Sequence, residues 1–463
     1  MKKFLRRLDP WRLMLEHGAV PGMNTQGMIY ADSYIEELLE GEDVLSQVAN
    51  VACLPGIVGY SLAMPDIHQG YGFPIGGVAA FDVEEGIISP GGVGYDISCG
   101  VRLLATNISA KDFKPRADKI LAALFSAIPC GVGAGKSKLG DRELEQILRE
   151  GAAHLVKTGR GSEADLDRTE ERGRQKGAMP GAVSKRAKER GKGQLGTLGS
   201  GNHFVEVQEV DELFLEGRAA AMGLKKGCIA VMIHSGSRGL GHQVCDDYLK
   251  VMRKAMDKYK ITVPDRQLCC APISSPEGQE YLGAMRAAAN FATANRQAMT
   301  CSVREVFSRF FPREKLTMVY DISHNLAFIE THEWEGKKRE VCVHRKGATR
   351  AFNGIPVLIP GSMGTSSYVL EGTETAEKET FASSCHGAGR VLGRGEAIRR
   401  TSGRNLAREL SEKGIKVMAK KAGTLGEEAP EAYKDVSAVV EAVQGAGLCR
   451  KVARLLPLAV MKG

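Results

Sequence analysis

The sequence predicts an α+β protein, because strand-like and helix-like segments follow one another along its 463 residues. Residues 203–210 (HFVEVQEV) alternate as a half-buried strand does, and residues 228–234 (CIAVMIH) form the apolar run of a buried strand. Residues 246–259 and 279–307 follow with helix-like patterns, and residues 315–322 (KLTMVYDI) return to a strand. Strands and helices therefore share one chain.

The other elements are predicted in the same way. Further helices are predicted at 34–51, 117–128, 142–158, 395–413 and 432–443. Short strands joined by glycine turns are predicted at 57–108 and 341–370, and residues 1–55 begin with a basic arm. Residues 112–195 are charged and rich in glycine, and we interpret them as a mostly helical insertion. A solvated face explains their charge at least as well as contact with nucleic acid does.

Composition narrows the class of protein. Hydrophobic residues make up 43% and charged residues 25%, which is typical of a soluble globular protein, and the chain has no apolar run of the length (about 18 residues) that predicts a membrane span. The initial segment MKKFLRRLDPWRL lacks the uninterrupted apolar stretch of a secretory signal. Eleven scattered cysteines predict reduced thiols and a cytoplasmic location. The net charge of +8 fits a nucleic-acid partner, but it also fits a generic basic enzyme.

One segment resembles a phosphate-binding loop and is rejected. Residues 130–137 (CGVGAGKS) end in the Gly-Lys-Ser of a Walker motif. That motif requires a glycine six residues before Lys136, where the chain has Cys130. The segment before it looks helical and ends in Pro129, so no strand enters the loop.

Five short segments combine metal-type ligands with glycine or with the end of a strand. They are GYDISCG (94–100), SGNHF (200–204), IHSGSRGLGH (233–242), DISHN (321–325) and CHGAGR (385–390). Each is weak alone, but together they predict a shared site if the fold brings them together. Asp96 and Cys99 lie in one glycine-bounded loop, where both can face one ion. Thiolate and imidazole favour zinc, and a carboxylate broadens the choice to manganese in an open catalytic site with room for two ions.

Two further features have two interpretations each. Because strand side chains alternate, His203 is expected on one face, with Asn202, Phe204 and Glu206 on the other. This arrangement would place a metal and a nucleotide on opposite sides, or it would describe a half-buried strand whose Glu206 is solvated. The loop PGSMGTSSY (360–368) would cradle phosphate, or it is a plain surface turn.

Taken together, these segments resemble the RtcB family of RNA ligases. The stretches that carry the resemblance are AMPDIHQGYGFPIGG (63–77), GGVGYDISCGVRLL (91–104), LGSGNHFVEV (198–207), HSGSRGLGHQ (234–243), DISHNLA (321–327), HRKGATRAF (344–352), PGSMGTSSYV (360–369) and SCHGAGR (384–390). Residues 140–195 match least. The resemblance implies one large catalytic domain over residues 1–463, with central mixed or antiparallel sheets flanked by helices and with residues 112–195 inserted in it.

The resemblance also implies an activity. The family joins an RNA end that bears a 2′,3′-cyclic phosphate or 3′-phosphate to an end that bears a 5′-hydroxyl, using GTP and two manganese ions. The expected roles are tRNA splicing and RNA repair, with tRNA halves or damaged RNA as substrates, archease as a candidate activating partner and no membrane partner.

Carried over by position, the resemblance implies roles for individual residues. Two manganese ions would share Cys99, one held with Asp96 and His203 and the other with His234 and His324. His386 would be the nucleophile that takes GMP, and Asp66 would orient it. The nucleotide would lie among Asn202, Phe204, Glu206, Asn325, Pro360, Gly361, Ser362, Met363, Ser367, His386, Gly387, Ala388, Gly389, Tyr433 and Lys462. Arg238 and Arg390 would contact RNA phosphate or form structural ion pairs.

Two rival functions stay open on the sequence. A metal-dependent phosphoesterase that acts on RNA ends would need the metal ligands but neither His386 nor Glu206. A non-catalytic RNA-binding metalloprotein would show no dependence on GTP. Aromatic residues are only 6% of the chain and form no stacking cluster along the sequence, which counts against a pure single-strand binder.

Overall fold

The structure is a computed structural model that describes residues 1–39, 43–131, 135 and 139–463. Its strands are β1 (Leu5–Asp9), β2 (Arg12–Leu15), β3 (Gly27–Tyr30), β4 (Ile57–His68), β5 (Ile75–Asp82), β6 (Ile87–Ile88), β7 (Gly100–Ser109), β8 (Phe204–Leu213), β9 (Cys228–Ser235), β10 (Ala271–Pro272), β11 (Thr317–Ser323), β12 (Asn325–Trp334), β13 (Lys337–Lys346), β14 (Ala348–Arg350), β15 (Pro356–Ile359), β16 (Ser367–Gly372), β17 (Ser383–Cys385), β18 (Lys416–Ala419) and β19 (Cys449–Lys462).

The α-helices are interspersed among these strands, so the predicted α+β class is confirmed. They are α1 (Ser33–Leu38), α2 (Val44–Val51), α3 (Ala110–Phe113), α4 (Ala117–Ala127), α5 (Asp141–Glu150), α6 (Ala152–Lys157), α7 (Glu163–Asp167), α8 (Lys185–Gly191), α9 (Glu216–Ala221), α10 (Arg238–Tyr259), α11 (Pro276–Phe310), α12 (Glu374–Glu379), α13 (Arg394–Arg400), α14 (Leu406–Glu412), α15 (Ala422–Glu427) and α16 (Val436–Gly445). Among the described residues, no helix has both the length and the apolar character needed to cross a membrane.

Two large sheets organise the molecule. One has the strand order β11-β7-β9-β8-β19-β16-β15, and β18 adds to it by pairing with β19 in parallel. The other has the order β1-β2-β3-β4-β5-β13-β12, in which β3 and β4 are parallel and the other neighbours antiparallel. Both sheets are therefore mixed and mainly antiparallel, as expected from the family resemblance.

Helix α11 is the longest helix described and crosses the interior of the molecule. Ser275 caps its first turn by accepting a hydrogen bond from the backbone N–H of Gly278, and Pro276 occupies the first helical position, where its missing N–H costs nothing. Apolar side chains along the helix pack against α4, α5, α6 and α10. The buried face also carries Arg296, which is fully buried beside the candidate site.

Several sequence-predicted elements have different bounds in the structure. The predicted helix at 142–158 is two helices, because Gly151 between α5 and α6 has a left-handed φ of 59°. The predicted helices at 34–51 and 395–413 are also two helices each. Strands are confirmed at 57–108, but only β6 is short, since β4, β5 and β7 are eight to twelve residues long and mostly buried. The basic arm forms β1 and β2 at a sheet edge.

The charged segment contains several short helices separated by turns and loops. Helices α4 to α8 lie within residues 112–195. Whether that segment is an insertion in a single domain stays a prediction. Most of the rejected phosphate loop, residues 132–134 and 136–137, lies outside the described residues.

Candidate active site

The five predicted metal ligands converge. Nε2 of His203 lies 2.9 Å from Oδ2 of Asp96 and 3.1 Å from Sγ of Cys99. Sγ of Cys99 is also 3.3 Å from Nε2 of His234, which is in turn 3.3 Å from Nε2 of His324. The ligand atoms of the buried residues Cys99, His203 and His234 all lie within 4.8 Å of one another, so this group could bind a metal ion.

The eight-stranded sheet brings these ligands together. His234 lies on β9, where it pairs with Val101 of β7 on one side and with Phe204 of β8 on the other. Cys99 and His203 immediately precede these two neighbouring strands. His324 follows β11, and its backbone N–H donates to the carbonyl of Cys99 at 2.9 Å. Strand pairing therefore gathers residues that are far apart in the sequence.

Two glycines let the backbone approach the ligands closely. A Cβ added at Gly236 would lie 2.4 Å from Oδ2 of Asp96, and one at Gly199 would lie 2.2 Å from Nδ1 of His203. Any side chain at either position would displace a ligand. These glycines belong to two of the glycine-rich segments that the sequence singles out.

Burial sets the protonation of the ligands. It lowers the pKa of His203, His234 and His324, which keeps these imidazoles in the neutral form that coordinates metal. It raises the pKa of the Cys99 thiol, with the nearby Asp96 carboxylate acting in the same direction. Burial also opposes ionisation of Asp96, but its hydrogen bond with His203 prevails and lowers the pKa. The Cys99 sulfur, which would lose its proton on binding a metal, forms with a carboxylate and neutral imidazoles a donor set that fits a divalent transition metal.

Arg296 ties the ligand-bearing segments to α11. Its Nη1 donates to the carbonyl of Ser98 at 2.8 Å and to that of Ser235 at 3.0 Å. Its Nη2 donates to the carboxylate of Asp321 at 2.8 Å, and Arg102 donates to the same carboxylate at 2.6 Å. Ser98 and Ser235 adjoin Cys99 and His234, so one buried guanidinium fixes both backbones. This role could not be predicted from the sequence, because Arg296 lies in the middle of a helix, outside the ligand segments.

His386 lies beside the ligand cluster in a fixed orientation. Its Nδ1 is 2.5 Å from Oδ2 of the fully buried Asp66, which also accepts the backbone N–H of His386 at 3.0 Å. Its ring centroid is 4.8 Å from that of His324. Because Asp66 engages Nδ1, Nε2 is the ring nitrogen available for chemistry.

A cavity of about 510 Å³ joins these groups. Every predicted site residue lines it except Asp66 and Ser367. Asp66 lies behind His386. Ser367 lies behind the wall, where its hydroxyl accepts hydrogen bonds from Nε2 of Gln208 at 2.8 Å and from the backbone N–H of Gly361 at 3.1 Å.

The expected division of residues 202–206 between two faces is wrong. His203 lies one residue before β8 begins, so strand alternation does not set its direction, and it lines the same cavity as Phe204 and Glu206. The solvated alternative for Glu206 is wrong as well, because only 3% of that residue is exposed. Burial raises its pKa to about 8, although Gln208 donates to its carboxylate at 2.6 Å.

The three predicted cationic residues, Arg238, Arg390 and Lys462, differ in the contacts that they make within the protein. Arg390 forms an ion pair with Glu428 at 3.2 Å and donates to the hydroxyl of Tyr433 at 2.9 Å, which matches its structural alternative. Arg238 donates to backbone carbonyls, including that of Leu198 at 3.3 Å. Lys462 has its Nζ 3.9 Å from a carboxylate oxygen of Glu428.

Sequence reasoning missed part of the cavity wall. The additional lining residues with polar or aromatic side chains are His68, Tyr71, Tyr95, Ser200, His242, Lys346, Arg394, Glu427 and Glu428. Tyr71, Tyr95 and His242 lie in the glycine-rich segments 63–77, 94–100 and 233–242. Their place in these segments could have predicted that they line the site.

Buried metal-type ligands beside an oriented histidine, at the base of a cavity, define the active site of an enzyme. Comparison with known proteins gives the family. The family described as "tRNA-splicing ligase RtcB" matches residues 47–463, and the chain belongs to it.

Curated relatives match 90% or more of the chain. A protein of Archaeoglobus fulgidus named tRNA-splicing ligase RtcB is 51% identical, with 100% of each chain covered. One of Thermococcus kodakarensis with the same name is 52% identical over 95% of each chain. The RNA-splicing ligase RtcB of Mycobacterium tuberculosis is 52% identical, covering 90% of this chain and all of its own.

Proposed function

We propose that the protein is an RNA ligase that joins a 2′,3′-cyclic phosphate or 3′-phosphate end to a 5′-hydroxyl end through a GMP–histidine intermediate. The observation that carries this proposal is the placement of His386, held by Asp66, beside the five-ligand cluster in one cavity. The names of the full-length relatives support tRNA and other spliced RNAs as substrates. tRNA halves or damaged RNA in the cytoplasm would supply such ends.

His386 begins the proposed reaction. Its Nε2 attacks the α-phosphorus of GTP, a P–N bond forms, and the bond to pyrophosphate breaks. Asp66 accepts the Nδ1–H throughout, which keeps Nε2 unprotonated before attack and stabilises the positive charge that the ring acquires. A carboxylate at this position also limits rotation of the ring.

The RNA ends then react in the same cavity. Water opens a cyclic phosphate by adding to phosphorus as the bond to the 2′-oxygen breaks, which leaves a 3′-phosphate. An oxygen of that 3′-phosphate takes GMP from His386 as the P–N bond breaks. The 5′-hydroxyl attacks the activated 3′-phosphorus, and GMP leaves with the bonding electrons. Every step is a substitution at phosphorus, so one site serves them all.

The donor set fits two divalent ions, for which we propose manganese. Asp96, Cys99 and His203 would hold one ion, and Cys99, His234 and His324 the other. When bound, such ions neutralise the charge of the phosphate groups during transfer.

The nucleotide would occupy the side of the cavity formed by β8, β19 and residues 360–363. The Glu206 carboxylate would accept N–H donors on the Watson–Crick edge of guanine, which adenine does not present in that pattern. Phe204 and Lys462 lie on the same side, with Nζ of Lys462 5.8 Å from the ring centroid of Phe204. We expect this side to select GTP over ATP.

Intact-protein mass spectrometry tests the proposal. Incubation with GTP and manganese should add the mass of GMP to the wild type but not to His386→Ala. With metal confirmed as bound, no increment on the wild type would favour the phosphoesterase alternative. An increment that appears only after addition of archease would keep the ligase and make archease its activating partner.

A further inference from the structure

Three aromatic rings line one part of the cavity wall, and we call Tyr71, Tyr95 and His242 the aromatic wall. The ring centroids of Tyr71 and Tyr95 are 5.7 Å apart, at an interplanar angle of 70°. Those of Tyr95 and His242 are 6.0 Å apart, at 33°. The three rings come from distant segments, so the sequence showed no stacking cluster and the fold creates one.

The segment that carries Tyr71 is firmly held. Nζ of Lys346 donates to the carbonyl of Tyr71 at 2.6 Å and to that of Phe73 at 3.0 Å. The backbone N–H of Gly72 donates to the side chain of Gln267 at 2.8 Å. Tyr95 immediately precedes the ligand Asp96. The position of the aromatic wall relative to the ligand cluster is therefore fixed by the fold.

The rings are accessible. Tyr71 and Tyr95 are half-buried, and His242, near the start of α10, is exposed. An exposed histidine contributes little to the core, so packing alone does not explain all three rings. Arg238 lines the same cavity, and its guanidinium would attract a phosphate backbone.

We propose that the aromatic wall stacks a nucleobase of an RNA end and so presents the adjoining phosphate or hydroxyl to the ligand cluster. The inference rests on the proposed RNA ligase function. The side of the cavity assigned to the nucleotide is formed by other elements, β8, β19 and residues 360–363, so the two occupants would lie against different parts of the wall. Stacking on a ring tolerates any sequence, because every base has a π-face, and a ligase of diverse RNA ends needs that tolerance.

Fluorescence of 2-aminopurine in RNA tests the proposal, because stacking on a ring quenches it. One probe carries 2-aminopurine as the last base before a 3′-phosphate, and a second carries it as the first base after a 5′-hydroxyl. Each is titrated with manganese-loaded wild type. Quenching of either probe supports the proposal and identifies the strand that is stacked. Quenching of neither overturns it.

Variants locate the stacking. His242→Ala and Tyr95→Leu should each weaken binding of the quenched probe by about tenfold and reduce the quenching, as expected for loss of one base–aromatic stack. Tyr95→Phe keeps the ring and should restore both. Tyr34→Leu, at an exposed tyrosine of α1, is the matched control and should behave as the wild type. Because His242 is exposed, His242→Ala should not disturb the core. Wild-type quenching and affinity in both His242→Ala and Tyr95→Leu would overturn the proposal.

Guanylylation of the same wild-type preparation separates the two hypotheses. A GMP adduct without probe quenching would leave the ligase function standing and remove the aromatic wall. Probe quenching that is lost in Tyr95→Leu, with no adduct on the wild type, would keep the aromatic wall and remove the guanylylation mechanism.

Discussion

Cys99 occupies the centre of the ligand cluster, with its sulfur 3.1 Å from Nε2 of His203 and 3.3 Å from Nε2 of His234. Because that sulfur would bridge both proposed ions, Cys99→Ala should bind neither and should lose ligation entirely. Elemental analysis of the metal-loaded protein measures this directly. Cys53→Ala, at a half-buried thiol elsewhere, should keep both ions. Two ions per chain and full activity in Cys99→Ala would refute the metal scheme.

Glu206 gives the nucleotide side a dependence on pH. Burial raises its pKa to about 8, with Gln208 and Lys462 acting in the opposite direction, so the carboxyl is largely protonated at neutral pH before GTP binds. Guanine N–H donors favour the carboxylate, and binding therefore releases a proton. GTP affinity of the metal-loaded enzyme should rise with pH below about 8 and level off above it.

Calorimetric titration with GTP across that range measures the slope. Glu206→Gln cannot titrate and should show a flat profile, with weaker preference for GTP over ATP. Glu209→Gln, on the same strand but paired with exposed Lys114, is the matched control and should keep the wild-type slope. An equal slope in Glu206→Gln would remove Glu206 from base recognition.

At the scale of elements, α11 contributes a buried charge network to the site. Asp321 on β11 pairs with both Arg296 and Arg102, and all three side chains are fully buried. Asp321→Asn would leave two buried guanidinium groups without their carboxylate, and it should lower the free energy of unfolding by about 3–5 kcal/mol. Urea denaturation of the metal-free protein measures this. Glu305→Gln, in an exposed pair with Arg309, should change stability by less than about 1 kcal/mol.

Elements were predictable to the extent that their signals are local. The alternation and apolar runs of β8, β9 and β11 are confirmed, because strand pairing follows the hydrophobic pattern of each segment. The bounds of other elements depended on a single backbone angle, such as that of Gly151, which the pattern around it does not reveal. The direction of His203 depended on where β8 begins, one residue later than the pattern suggested.

At the scale of the whole molecule, metal binding should stabilise the fold. The ligands come from four segments that are far apart in the sequence, and the unfolded chain has no such site, so binding favours the folded state. Manganese should therefore raise the melting temperature of the wild type in a concentration-dependent manner. Cys99→Ala should show no such rise, and an equal rise in this variant would place the stabilising ion elsewhere.

The sequence predicted the chemical type of the site but not all of the residues that form it. Residue types and glycine spacing indicated the segments that carry the candidate ligands, and the family resemblance supplied the individual ligand set. Arg296 and the aromatic wall were not predicted, because their roles arise from packing between distant segments. Ligand-type residues can be recognised from the sequence around them, whereas the roles of Arg296 and the aromatic wall depend on tertiary contacts.

Strand β19 (residues 449–462) pairs with β8 on one side and with β16 on the other, so it is an interior strand of the eight-stranded sheet. During translation, the edge of β8, the strand that carries Phe204 and Glu206, stays unpaired until these residues have left the ribosome. A nascent chain that has not yet produced residues 449–462 therefore has an incomplete nucleotide side. Acquisition of activity is in this way delayed until β19 has paired with β8, and chaperones that shield open sheet edges would act in the interval.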